Sequence, residues 1–259
     1  MSFVINPYRF GGGGGPPPSA LPEPLHWWDL DDVDTNLIDG LADLGNGTND
    51  MSLTRLASPT NETGVAPDGG DACLFDGLGR LHATSDFTWD GDATQMSTQC
   101  WVYIDSVSTS NSYFMSWRDL SGDRLFDVLR RLSDTYIKTP VWDDTDSLTN
   151  NTDDAGLATS TGEWLHIVTT WAKNGDLKTY INGSIVSGAT TSAGANDLED
   201  TNTMSFAIGV TAQNTSSEAN MYTGNAWAFG IWDEELTADQ VSALYNGSSG
   251  GKFADYTWT

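Results

Sequence analysis

From Leu25 onward the chain runs in short apolar stretches separated by clusters of Gly, Asn, Asp, Ser and Thr. The stretches are residues 25–28, 73–75, 100–104, 113–117, 125–129, 136–141, 164–171, 177–181, 204–210 and 226–232. They are rich in Trp, Tyr, Val, Ile and Thr, residues that suit a pleated, half-buried surface. Many short strands at regular spacing, with turn residues between them, predict an all-β sandwich. Asn174-Gly175 and Asn182-Gly183 predict tight hairpins, because Asn-Gly accepts the positive φ of a type I′ turn. One helix is predicted near the end. Thr237 and Gln240 have capping-box spacing, Val241, Leu244 and Tyr245 share one face, and Asn246-Gly247 closes it. At two turns this helix is too short to stand alone and must pack on the sandwich.

The beginning of the chain has a different pattern. Residues 11–18 are five glycines and three prolines, a swivel followed by a short stiff rod. They set apart residues 1–10, which include Phe3, Ile5, Pro7, Tyr8, Arg9 and Phe10. Ten residues cannot form a core. Two readings remain open: an extended arm that docks on a partner, or a disordered terminus with incidental apolar residues. The expected organisation is an arm and linker over 1–24, one sandwich domain over 25–247 and a tail over 248–259.

Charge narrows the function classes. Among 259 residues, 11 Lys and Arg stand against 36 Asp and Glu, a net charge of −25. That argues against nucleic acid and anionic membrane surfaces as partners. No run of 18 apolar residues exists, so no membrane insertion is expected. The N-terminus lacks the basic and apolar regions of a secretory signal. Cys73 and Cys100 sit in apolar runs and read as buried free thiols, with a disulfide between neighbouring strands as the other reading.

Several segments in order resemble the laminin-G-like, concanavalin-A-like jelly-roll superfamily. They are Leu25-His26-Trp27-Trp28-Asp29, Leu74-Phe75-Asp76-Gly77, Gln99-Cys100-Trp101-Val102, Glu163-Trp164-Leu165-His166-Ile167-Val168 with Lys178-Thr179-Tyr180-Ile181-Asn182-Gly183, and Ile231-Trp232-Asp233 through Leu244-Tyr245-Asn246. The resemblance implies a two-sheet antiparallel jelly roll with one short C-terminal helix. It does not fix a function, because this fold carries lectins, hydrolases, lyases and adhesion modules. Separately, Ile5-Asn6-Pro7-Tyr8-Arg9-Phe10 before a glycine run is similar to the starts of tailed-bacteriophage structural proteins.

Hydrolases of this fold carry alternating acids on one strand, as in E-x-D-x-x-E, and no such run is present. Glu234-Glu235 reads as a helix N-terminal charge pair, and His26, His82 and His166 as structural residues of apolar strands. Acidic clusters at Asp29, Asp31, Asp32 and Asp34, at Asp143, Asp144 and Asp146, and at Asp153-Asp154 would suit calcium or be solvated loops. The family's usual closing-strand acid is replaced by Trp227, which argues against a tight calcium site. Sugar rings stack on exposed aromatic faces. Trp89, and Trp142 with Asp143 and Asp144, are therefore the glycan-contact candidates, while Trp101, Trp164, Trp171 and Trp232 read as core.

The expectation is a non-enzymatic virion surface protein without a cofactor, made in the host cytoplasm. Its arm would anchor it to other capsid or tail proteins, as a capsid decoration or tail appendage. It would be a homo-oligomer, a trimer at first reading, whose sandwich touches host-surface glycans. The alternatives are a stand-alone carbohydrate-binding or adhesion module and, third, a polysaccharide hydrolase or lyase.

Overall fold

The computed structural model describes residues 20–31, 43–45, 53–56, 59–77, 79–83, 93–105, 111–118, 124–131, 136–143, 148–149, 161–194, 196–198, 205–211 and 221–259. The strands run β1 (His26–Asp29), β2 (Leu53–Leu56), β3 (Thr60–Glu62), β4 (Ala72–Asp76), β5 (Arg80–Ala83) and β6 (Gln95–Ile104). Next come β7 (Ser112–Arg118), β8 (Arg124–Arg130), β9 (Ile137–Lys138), β10 (Val141–Trp142) and β11 (Leu148–Thr149). The last are β12 (Trp164–Ala172), β13 (Asp176–Ile181), β14 (Ser184–Ser192), β15 (Ser205–Ile208) and β16 (Thr223–Trp232), followed by helix α1 (Ala238–Tyr245).

They form two antiparallel sheets packed as a sandwich, as the pattern predicts. The first has the order β14-β13-β12-β6-β16-β4-β3, with β1 also paired to β16. The second has the order β11-β10-β8-β7-β15-β5-β2, with β9 on β8. Alternation along the strands sends Val102, Ile104, Cys100, Phe114, Trp117, Phe126, Ile167, Phe206 and Phe229 into the core between the sheets. Cys73 and Cys100 are buried free thiols.

The outer face of the first sheet carries a second core. Trp27, Trp101, Trp227, Trp232 and Val168 pack there against Val241 and Leu244 of α1. The capping box is present: the Thr237 hydroxyl accepts from the Gln240 amide at 3.3 Å, and the Gln240 side chain accepts from Thr237 N at 2.7 Å. Asn246 ends the helix in the left-handed region at φ 46°.

Three expectations need correction. The type I′ turn is at Asn182-Gly183, with φ of 52° and 76°, whereas at 174–175 only Asn174 is left-handed. The stretch 136–141 is split into β9 and β10, because Pro140 has no N–H to give the ladder. The folded body also exceeds 25–247. Leu21 is buried and bridges in parallel to Trp258, and Trp232 Nε1 donates to Pro22 O at 2.9 Å. Phe253, Tyr256 and Trp258 surround Trp27 at ring-centroid distances of 6.2, 5.8 and 5.6 Å. The segment expected to be a tail thus seals the outer core.

Candidate functional site

The site begins with strand alternation on the outer face of the first sheet. Trp164 of β12 is registered with Tyr103 of β6, Tyr103 with Asn225 of β16, Asn225 with Leu74 of β4, and Leu74 with Thr60 of β3. These residues form one row across five strands. Two positions along their strands, His166, Trp101 and Trp227 are buried under α1 and the chain that follows it. The rings of His166 and Tyr245 stack on Trp101 at 4.7 and 5.7 Å. The cover stops there and leaves the Trp164 row at the floor of a cleft.

The cleft encloses about 650 Å³ and is lined by Glu62, Val65, Leu74, Tyr103, Asp105, Trp164 and Asn225. That volume is in the range of small-ligand sites. Trp164 and Tyr103 are half-buried, with centroids 5.8 Å apart and planes tilted by 57°. Trp164 Nε1 donates to Val65 O at 2.8 Å, which pins the indole. Asn225 Nδ2 donates to Glu62 Oε2 at 2.7 Å, so the amide and carboxylate orient each other.

The backbone beneath is held just as closely. Gly224 has φ +140°, and a Cβ there would lie 2.0 Å from Tyr103 O. Only glycine lets β16 approach β6 so closely at this point. The Tyr222 hydroxyl lies 2.7 Å from both Tyr103 O and Asn225 O, and burial pushes its pKa well above the usual phenol value.

This arrangement suits a sugar. Aromatic faces pack on the C–H faces of a ring, while Asn225, Glu62 and Asp105 offer polar atoms for hydroxyls. Among the described residues no group of His, Cys, Asp and Glu is placed to hold a metal ion.

The sequence-derived candidates fall elsewhere. Trp142 is a correction: it lies in β10, paired with Leu148, and is only 9% exposed. The guanidinium groups of Arg124 and Arg118 cover its ring at 5.3 and 6.0 Å. Arg118 is itself paired with buried Asp127. Asp143 is likewise buried, bridges to Leu198 and accepts from Asn196 Nδ2 at 3.0 Å. Neither side chain is therefore presented to solvent as a glycan contact requires. Trp89 and Asp144 lie outside the described residues, as do Phe3, Ile5, Pro7, Tyr8, Arg9 and Phe10.

The acidic clusters are structural where they are described. Asp29 accepts from Trp27 Nε1 at 2.7 Å and from Phe253 N at 3.2 Å, and burial raises its pKa to about 6. Asp31 pairs with Lys252 at 2.6 Å. Asp32, Asp34, Asp146, Asp153 and Asp154 lie outside the described residues. Glu235 pairs with Lys178 at 2.6 Å. His26 bonds Asp43, and His166 Nε2 lies 2.8 Å from Gln99 Oε1.

Sequence reasoning missed the cleft because it assigned Trp164 to the core. The available signal was phase: Tyr103 and Trp164 alternate with the inward residues Val102, Ile104 and Leu165.

Residues 76–242 match the sequence profile of a family described as the concanavalin A-like lectin/glucanases superfamily. No curated protein matches the chain by sequence. Among solved structures the chain is similar to domain 4 of AbnA, a GH43 extracellular arabinanase from Geobacillus stearothermophilus, in complex with arabinotriose. The TM-score is 0.59 at 18% identity, over 86% of this chain and 98% of that one. It is also similar to the ligand binding domain of Botulinum neurotoxin serotype D in complex with N-acetylneuraminic acid. There the TM-score is 0.57 at 13% identity, over 87% of this chain, which spans about half (51%) of that domain. A third likeness is to a heptameric SAP-like pentraxin from Limulus polyphemus, with TM-score 0.51 and 18% identity, over 70% of this chain and 82% of that one.

Proposed function

Because the chain belongs to the concanavalin A-like lectin/glucanases superfamily, whose fold serves both binding modules and enzymes, we propose that it is a non-enzymatic saccharide-binding module. The observation that carries this reading is the row Trp164–Tyr103–Asn225 at the floor of the cleft, with Glu62 oriented by Asn225. Two aromatic faces beside fixed polar groups are what a polyhydroxylated ring requires of a protein surface. Two of the similar structures hold saccharides, arabinotriose and N-acetylneuraminic acid, and their likeness supports the reading at the level of fold.

The proposed setting is the surface of a tailed-phage virion, with the N-terminal arm as the anchor and the sandwich facing outward. What supports it is the arm's composition: Phe3, Ile5, Tyr8 and Phe10 lie before the Gly/Pro run of residues 11–18.

The test is a glycan array probed with wild type and with Trp164→Ala, Tyr103→Ala and, as a control remote from the cleft, Trp142→Phe. The expected result is retention by wild type and Trp142→Phe and a loss of tenfold or more in the cleft variants. Unchanged retention by Trp164→Ala would overturn the assignment of the cleft. Polysaccharide turnover abolished by a single carboxylate substitution would overturn the non-enzymatic reading.

A further inference from the structure

The charge around the cleft points to one class of sugar. Glu62 and Asp105 are in the lining, exposed Glu163 adjoins Trp164, and none of the described lining residues is a cation. Several of the described cations are paired with other acids. Lys178 pairs with Glu235, Lys173 with Asp197, Lys252 with Asp31 and Arg118 with Asp127. The amide of Asn225 already donates to Glu62. The charge presented by the described lining is therefore negative, on a chain of net charge −25.

A ligand carboxylate or sulfate is acceptor-only. In this cleft it would lose hydration without gaining a cation among the described lining residues, and it would face carboxylates of like sign. The hydroxyls of an uncharged sugar behave oppositely. They can donate to Glu62 and Asp105 as charge-assisted hydrogen bonds while the ring packs on Trp164 and Tyr103.

Resting on the reading of the cleft as a saccharide site, we infer that it selects uncharged saccharides and rejects carboxylated or sulfated ones. The cleft would thus differ from a site for N-acetylneuraminic acid, the acidic sugar held by one of the similar structures. The rejection is electrostatic and weakens as salt screens the acids.

The experiment measures binding of the full chain to an array of neutral oligosaccharides, each beside its sialylated, uronic-acid or sulfated counterpart. It is run at about 0.15 M and about 1 M NaCl, where the screening length falls from about 8 Å to about 3 Å. The proteins are wild type, Trp164→Ala and the double variant Glu62→Gln/Asp105→Asn, each first shown to melt cooperatively. The expected result is anionic counterparts bound at least tenfold more weakly than their neutral partners. That gap should shrink in high salt and fall below threefold in the double variant, with Trp164→Ala abolishing binding. Equal or tighter binding of the anionic counterparts, still lost in Trp164→Ala, would overturn the selectivity and leave the cleft's function standing. Absence of saccharide binding, or binding indifferent to Trp164→Ala, would overturn both.

Discussion

The Tyr222 hydroxyl lies 2.7 Å from the carbonyl oxygen of Tyr103. A hydroxyl from the residue just before β16 thereby fastens β6 at the residue whose ring forms part of the cleft, and the same oxygen lies 2.7 Å from Asn225 O. With Gly224 between them, these contacts set the spacing of the row that includes Trp164, Tyr103 and Asn225.

Tyr222→Phe keeps the buried ring and removes the hydroxyl. Loss of the hydrogen bond from buried carbonyls is expected to cost about 1–3 kcal/mol. Urea unfolding should show a lower midpoint at unchanged slope, and saccharide binding should weaken in parallel. Wild-type stability in this variant would mean that the contact does not hold the cleft.

Removing residues 252–259 should destabilise the domain rather than trim a tail. The truncation uncovers Trp27, takes away Phe253, Tyr256 and Trp258, and leaves Asp29 without the Phe253 amide. Burying one large aromatic side chain is worth roughly 1.5–3 kcal/mol, so a loss of several kcal/mol is expected. Differential scanning calorimetry checks it; an unchanged melting temperature would contradict the packing.

Acid should weaken the fold through His166. Burial against Trp101 lowers its pKa to about 3 from the ordinary 6.5, so the folded state keeps it neutral while the unfolded chain takes up a proton. Its contribution is whole above pH 6.5 and is lost as pH falls toward 3, at about 1.4 kcal/mol per pH unit. Asp29 acts in the opposite sense: with a pKa raised to about 6, it restores stability as pH falls from 6 to 3.8. Comparing the pH slopes of wild type and His166→Gln between pH 7 and 5 isolates the histidine. The variant should show the flatter loss, and equal slopes would refute the assignment.

Deleting residues 1–18 should leave the melting temperature unchanged, because Leu21 and Pro22 remain to make their contacts with Trp258 and Trp232. The same deletion should abolish incorporation into the particle or oligomer, read by sedimentation of assembled particles. Normal assembly of the truncated protein would remove the docking role of the arm.

Chelation is expected to change thermal stability little. The closing-strand position where the family often carries an acid is here Trp227, fully buried in the outer core. A fall of about 10 °C or more in EDTA would reveal a site of several kcal/mol.

What the sequence determined alone is what a few neighbouring residues decide. Alternation placed Val102 and Ile104 inward, Asn182-Gly183 made a tight turn, and Thr237 with Gln240 started the helix, because φ/ψ preference and capping act within one turn of chain. Which outward-facing aromatic is covered is decided by segments far away. Trp142 and Trp164 are both strand residues bearing an indole. Arg118 and Arg124 lie over Trp142, while Trp164 packs at the edge of the outer core that hides Trp101 and His166 and stays half-buried in the cleft. The bridge from Leu21 to Trp258 joins residues far apart along the chain. No local preference encodes such contacts; they arise because apolar surface on a sheet face is buried by whichever distant segment reaches it.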